Sequence, residues 1–458
     1  MKLRHGLVAA LGLCAAVLAA DSVRLSSLLE EFRERPSDWK LCNEIAAAYV
    51  ADQQFDRAAE FYKKVTSLNA AFLPARKNLA VVLWFAGRKS EAEPLFRQLA
   101  RQIPNDPVPH VYLGLAHYER GQYVEAAGQF SSAGDLALRN PEILPAAIDS
   151  FLATNDTSAV AAALQYVEES RDAQLALRLA TVLNHHGQYA AAIRALSRLQ
   201  SDPDAQLVLA EAYDGQKEPQ QAYAALSRAI QYAPGSERAY SAMALFASEH
   251  QNNRFALDVL EKGLQNVPAS PTLLLQKGIL LALEGDRENA ERTLRSAAAV
   301  KPSWALPLLA VGILQLESGR LDEAAATFRQ ATETWPRDES AHYLYGLTLT
   351  RKADEGSRTA ALAALARALA LNPNDARARI LLGQTYVVAG RTQEGVRELR
   401  RGLQSDPRNA TGLYQLSLAC RKLGQAAEAD KYMSEFRSLK SKDDSQHSEL
   451  VTILKVLK

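Results

Sequence analysis

Cysteine is scarce, with 3 in 458 residues, and what is missing here narrows the field before anything present does. Cys14 lies in an apolar N-terminal run, which leaves Cys42 and Cys420 near opposite ends of the chain. They fall in the first and last members of a long series of units, too far apart for the roughly 6 Å between Cα atoms that a disulfide needs, so both read as core thiols. Charge of one sign is also lacking: 53 Lys and Arg stand against 52 Asp and Glu, a net +1 with no basic arm, which argues against a nucleic-acid partner. No long apolar run follows residue 20, so no stable membrane span is expected beyond it. Catalytic signatures are missing as well. There is no GxxxxGK[ST], HExxH, GxSxG or CxxC, so neither enzyme activity, nor a cofactor, nor a metal is expected. The adjacent His185 and His186 read as exposed turn histidines, while His110 and His117 fall at helix positions where packing accounts for them.

At the N-terminus, Lys2 and Arg4 precede an uncharged run from Gly6 to Ala20 that ends in small residues. This is the pattern of a secretory signal peptide over residues 1–20, with the mature chain starting near Ala20 or Asp21 and exported to the periplasm or secreted. Leu11 to Cys14 weakly matches a bacterial lipobox, with Leu13 where that motif takes a small residue, so lipidation at Cys14 is the minor alternative.

What the chain has in abundance is itself. Pro234, Pro268, Pro302 and Pro336 are each 34 residues apart, and Pro373 and Pro407 continue the series after a three-residue slip. With position 1 of each unit at residues 39, 73, 107, 173, 203, 237, 271, 305, 339, 376 and 410, whole columns align. Position 8 is always small, from Ala46 through Gly278 and Gly312 to Ser417, and position 20 likewise, from Ala58 to Ala429. Position 24 is large and apolar, as in Phe96, Phe130, Leu294 and Phe328. Position 15 is usually glycine, as in Gly87, Gly285 and Gly424.

Apolar residues at positions 4, 7 and 11, and again at 20, 24 and 27, recur at helical spacing, so each unit is two amphipathic helices. Glycine at 15 suits the left-handed residue that ends the first helix, and proline at 32 ends the second. Small residues at 8 and 20 let the helices approach closely, and the large residue at 24 fills the space beside the crossing. These columns resemble the tetratricopeptide repeat family over residues 39–443. The resemblance implies an all-α fold, a right-handed superhelical solenoid of antiparallel helix pairs. Three departures stand out. The family's position-4 tryptophan is replaced, by Cys42, Arg76, His110, Leu274 and Leu308 among others. Residues 141–172 form a degenerate unit, with helices over Ile143 to Leu152 and Ala159 to Val167, and the unit starting at 173 is four residues short. Unit nine carries three extra residues near Glu355 to Thr359.

Stacked repeats leave apolar faces at both ends that need covers. Residues 21–38 supply one, with Leu25, Leu28, Leu29 and Phe32 on one helix face and a capping-box pattern at Ser27 and Glu30. Residues 444–458 supply the other, with Leu450, Ile453, Leu454 and Leu457; a partner-binding tail is the alternative.

The family resemblance further implies that positions 2, 5, 6, 9, 12 and 13 of the first helices line a concave groove that takes peptides. Here position 9 is aliphatic in most units, and Leu275, Ile279, Leu309, Ile313, Tyr343 and Leu347 form an apolar stripe, with Arg377 and Arg421 placed to orient an acidic end. Two readings of the stripe are open: a surface for a hydrophobic peptide or amphipathic helix, or packing between neighbouring first helices in a tightly coiled array. The function expected is an exported noncatalytic scaffold that binds a protein or peptide segment on its concave face. The alternative is a noncatalytic accessory subunit of a cell-envelope enzyme or assembly complex.

Overall fold

The computed structural model describes residues 22–352, 354–440 and 450. Among them are 26 α-helices and no strand, paired as the 34-residue period requires. Trp39–Ala51 pairs with Phe55–Leu68, Pro271–Leu283 with Arg287–Val300, Ala305–Glu317 with Leu321–Thr334, and so on to Ala410–Lys422 with Ala426–Lys440. The all-α fold of antiparallel helix pairs is therefore what the chain adopts. Contacts group it into two compact units, Met1–Ala229 and Ile230–Lys458, with the division falling inside the helix Pro219–Tyr232. In the regular repeats within each unit, as for Arg287–Val300 and Leu321–Thr334, a second helix packs both on its own first helix and on the first helix of the following repeat, whereas Val160–Ser170 of the degenerate unit packs on Tyr189–Ala195 instead. Among the described residues no helix is long and apolar enough to cross a membrane. The residues assigned to the signal peptide lie outside the described residues.

Side-chain size sets the crossing of each pair. A Cβ added to Gly278 would lie 2.6 Å from Leu294 Cγ, and one on Gly383 2.7 Å from Leu399 Cγ, so positions 8 and 24 meet as the columns imply. The turn between the helices is equally uniform. Position 15 has positive φ in every unit where it is described, whether glycine, as in Gly87 at 80° and Gly285 at 88°, or not. Gln53, Lys217 and Gln251 hold φ of 59°, 63° and 59° there, and Asn155 holds 61° in the degenerate unit. Asn155 thus fixes that unit's register despite its divergent sequence. Its helices run Leu144–Ala153 and Val160–Ser170, preceded by a short helix Asp135–Leu138 that the period does not foresee.

The irregular units behave as their lengths dictate. The short unit has a second helix of only 7 residues, Tyr189–Ala195. The three extra residues of unit nine lengthen its second helix, Glu355–Leu371, to 17 residues against the usual 14. A further column emerges just before position 1. Asp38, Asp106, Asp172, Asp202, Ser236, Ser270, Asp375 and Asn409 each accept a hydrogen bond from the first turn of the helix that follows, capping its free N–H groups.

The N-terminal cover is the helix Ser22–Glu34, with Leu28 buried and Phe32 edge-on to Phe61 at 5.3 Å. Ser27 lies in the middle of this helix, so the expected capping box there is incorrect: a side chain caps only the helix start. At the other end Leu450 is buried, while Ile453, Leu454 and Leu457 lie outside the described residues. Cys42 and Cys420 are buried free thiols, and burial pushes both above the ordinary thiol range.

Candidate functional site

The groove-type positions of the first helices do not form one exposed apolar stripe. Leu275 and Ile279 are 0% exposed, and Leu309 and Ile313 are 3% exposed. The expectation that these four offer a free binding surface is corrected. Consecutive first helices touch, as between Pro271–Leu283 and Ala305–Glu317, and residues Pro307 to Leu316 of the latter are buried without a break. Of the two readings of the stripe, packing is the one the structure has.

The character of this face changes in the last three repeats. Tyr343 and Leu347 are half-buried, resting against Leu365, Leu381 and Leu382. Arg377, on the neighbouring first helix Ala376–Val388, is exposed and places its guanidinium carbon 5.0 Å from the centre of the Tyr343 ring. Its Nε is 3.6 Å from Asp375 Oδ1. On the next first helix Tyr414 is 39% exposed and stands 5.3 Å from Phe436, and Arg421 and Lys422 are exposed at its end. Arg421 Nη2 reaches Asp430 Oδ1 at 2.8 Å. Of the eight residues expected to form the site, the structure thus brings together Tyr343, Leu347 and Arg377. It buries Leu275, Ile279, Leu309 and Ile313, and engages Arg421 with an acidic neighbour.

Beside Arg377 lies a pair of carboxyl groups that the sequence did not single out. Glu339 opens the helix Glu339–Lys352, and Asp375 caps the next first helix. Burial and the adjoining Asp375 carboxyl push Glu339 up to about 7.

A second polar group, with two of its three members on groove-type positions, sits in the N-terminal unit. Asp149 Oδ2 accepts from Tyr118 Oη at 2.7 Å, and Asp149 Oδ1 is 2.6 Å from His186 Nε2. The three residues come from three successive repeats, at positions 12, 9 and 14. His186 is therefore not the exposed turn histidine expected; it is half-buried and held by Asp149, with His185 edge-on at 5.1 Å. Burial, and then the Asp149 hydrogen bond, raise the Tyr118 hydroxyl well above the ordinary phenol range.

Position 4, where the family's tryptophan is absent, carries a device of its own. His110 Nε2 lies 3.2 Å from Pro104 O, His342 Nε2 3.2 Å from Pro336 O, and Arg76 Nη2 donates to Ala70 O at 3.1 Å. Arg379 donates to Pro373 O and Gln206 to Gln200 O in the same way. Each polar side chain reaches back six residues to the turn from the preceding repeat. For His110, where packing is the expected account, the structure adds this contact and a second from Nδ1 to Gln129 Oε1 at 2.9 Å.

Models described as tetratricopeptide repeat match residues 49–110 and 352–416, residues 309–355, and residues 204–236. With the helix pairs in register between these segments, the chain belongs to the tetratricopeptide repeat family. Similar solved structures include MamA from Desulfovibrio magneticus RS-1, at 23% identity, covering 38% of this chain and 97% of that one with a TM-score of 0.34. Yeast Tom70 is 13% identical and covers 92% of this chain and 95% of its own, with a TM-score of 0.43. YrrB, described as a tetratricopeptide repeat protein with an unusual peptide-binding site, is 19% identical over 41% of this chain and 95% of its own, with a TM-score of 0.33. No curated protein sequence matches the chain.

Proposed function

We propose that the protein is an exported, noncatalytic scaffold that binds a protein or peptide segment along its concave face, in the stretch from Tyr343 to Lys422. The observation that carries this reading is that consecutive first helices carry, at groove-type positions, the exposed Arg377 on Tyr343 and then the exposed Tyr414 and Lys422. Aromatic and guanidinium groups supply large contact area and charge at low entropic cost, and the buried aliphatic layer beside them keeps the face rigid. The segment that fits is acidic, with an apolar or aromatic anchor beside its carboxylates. Export is read from the N-terminal pattern of charge and apolar residues, and places the partner outside the cytoplasm.

Crosslinking in intact cells, identification of the captured segment and calorimetry with the purified pair test this reading. The double variant Arg377→Glu with Tyr414→Ala should weaken the complex by at least about tenfold, since truncated anchors in interface centres cost on the order of 2 kcal/mol. Unchanged affinity in a folded double variant overturns the assignment of the face.

A further inference from the structure

Glu339 and Asp375 belong to consecutive repeats and meet at the N-termini of their first helices. Asp375 is 8% exposed. Its Oδ1 is fully used, accepting from the backbone N–H of Arg377 at 2.8 Å and of Ala378 at 3.3 Å. Its Oδ2 is buried and has no donor among the described residues, and the same holds for Oε1 of Glu339. An orphan buried oxygen costs roughly 1–3 kcal/mol, and two adjoining anions cost more, so an arrangement that leaves both unmatched would not persist. Neither atom has appreciable accessible surface, which leaves no room for a bound amine or hydrated ion. A proton fits. Held on one carboxyl, it turns two orphan acceptors into one donor and one acceptor.

We propose that Glu339 and Asp375 share a single proton and form a pH-sensitive joint between the repeats that begin at 339 and 376. The charged groups that bear on Glu339 are Asp375 and Arg377 from the following repeat and Asp338 from its own turn. On the other helices packed against it, Arg367 of Glu355–Leu371 reaches the turn at Pro336 O (3.4 Å), and Asp322 of Leu321–Thr334 is taken up by Lys352 at 2.6 Å. Burial and the Asp375 carboxyl, partly offset by Arg377, raise Glu339 to about 7. Asp375 goes the other way: burial alone would raise it, but the Glu339 hydrogen bond, Arg377 and the helix N–H groups hold it below its ordinary value.

The direction of the response follows. The folded state holds the Glu339 proton more tightly than the unfolded chain, so the stabilisation is complete below the ordinary 4.5 and is lost as pH rises through about 7. Once the proton leaves, two carboxylates face each other beside Arg377. The joint works without any partner, so its test stands apart from the docking reading.

Hydrogen exchange on the full chain, corrected for the intrinsic chemical rate, reads the joint locally. Between pH 6 and pH 8.5 protection of residues 339–352 and 376–388 should fall by up to about tenfold in the wild type, the loss expected from a carboxyl that ionises near 7. Glu339→Gln supplies a permanent amide donor to Asp375 and should flatten that dependence. Asp375→Asn keeps an oxygen for the helix cap, gives Glu339 a donor, and should flatten it too. Equal pH dependence in wild type and Glu339→Gln overturns the proposal. Flattening by Glu339→Gln but not by Asp375→Asn overturns the sharing of the proton between these two residues.

Discussion

Gly312 lies directly beneath Phe328: a Cβ on the glycine would stand 2.5 Å from the ring carbon Cε1. The two residues are 16 apart, at positions 8 and 24 of one repeat, and their fit sets how closely the two helices of that pair cross. Phe328 is 0% exposed, so its ring would have to shift within a filled core to admit the methyl group. Gly312→Ala should therefore destabilise the C-terminal unit by about 1–3 kcal/mol, the usual cost of overpacking a filled core. Thermal unfolding checks this; an unchanged midpoint would mean that the helices are less tightly apposed.

Position 15 offers the opposite experiment. Lys217 and Gln251 are held at φ of 63° and 59° where most repeats place glycine. An L-residue in the left-handed region costs roughly 1–2 kcal/mol, of which glycine's extra freedom in the unfolded chain takes back part. Lys217→Gly and Gln251→Gly should each stabilise by about 0.5–1 kcal/mol, and a rise in the thermal midpoint measures it. The reverse change, Gly285→Ala, should lower the midpoint.

These two contacts also show why the fold was legible in the sequence and the site was not. Small residues at 8, large ones at 24 and glycine at 15 are imposed by contacts within a single repeat, so every unit repeats them and the period exposes them. Whether Ile279 and Ile313 face solvent depends on how closely one first helix lies on the next, and that spacing leaves no mark on residue identity. The Tyr118, Asp149 and His186 group joins three different repeats, each member conspicuous only once the degenerate unit is placed in register by Asn155. Glu339 and Asp375 look like ordinary helix-start acids in sequence, where capping favours them, and only their mutual proximity makes them unusual. The polar residues at position 4 were visible as departures from the family, but their common acceptor, a carbonyl six residues back, is a property of the turn.

Burial of the aliphatic stripe changes what its substitution should do. Ile279 is 0% exposed, so Ile279→Asp places a carboxylate where nothing can pair with it. The expected result is a loss of several kcal/mol and local unfolding of the repeat, visible in hydrogen exchange, with no selective defect in binding. A folded Ile279→Asp variant that merely failed to capture its partner would restore the stripe as a docking surface.

Glu291 sets an acid limit on the same unit, opposite in sign to the one set by Glu339. Its carboxylate accepts from Arg320 and Arg295 at 2.7 Å each and from Gln315 Nε2 at 2.9 Å, and Gln315 in turn accepts from Thr327 at 2.8 Å. Burial alone would raise Glu291, but the hydrogen bonds from Arg320, Arg295 and Gln315 outweigh it and hold the group below its ordinary value. The folded state thus binds this proton less readily than the unfolded chain does. Its stabilisation is complete above the ordinary 4.5 and is lost as pH falls through the lower folded value. Glu291→Gln keeps the shape but removes the charge that both arginines share, and should cost about 1–3 kcal/mol at pH 7. The cost should shrink as the pH is lowered below 4.5, because the wild type then loses the same charge. Urea unfolding of wild type and variant at pH 7 and pH 3.5 gives the comparison, and a penalty that stays constant between the two would show that the carboxylate's charge is not what holds Gln315 and the two arginines together.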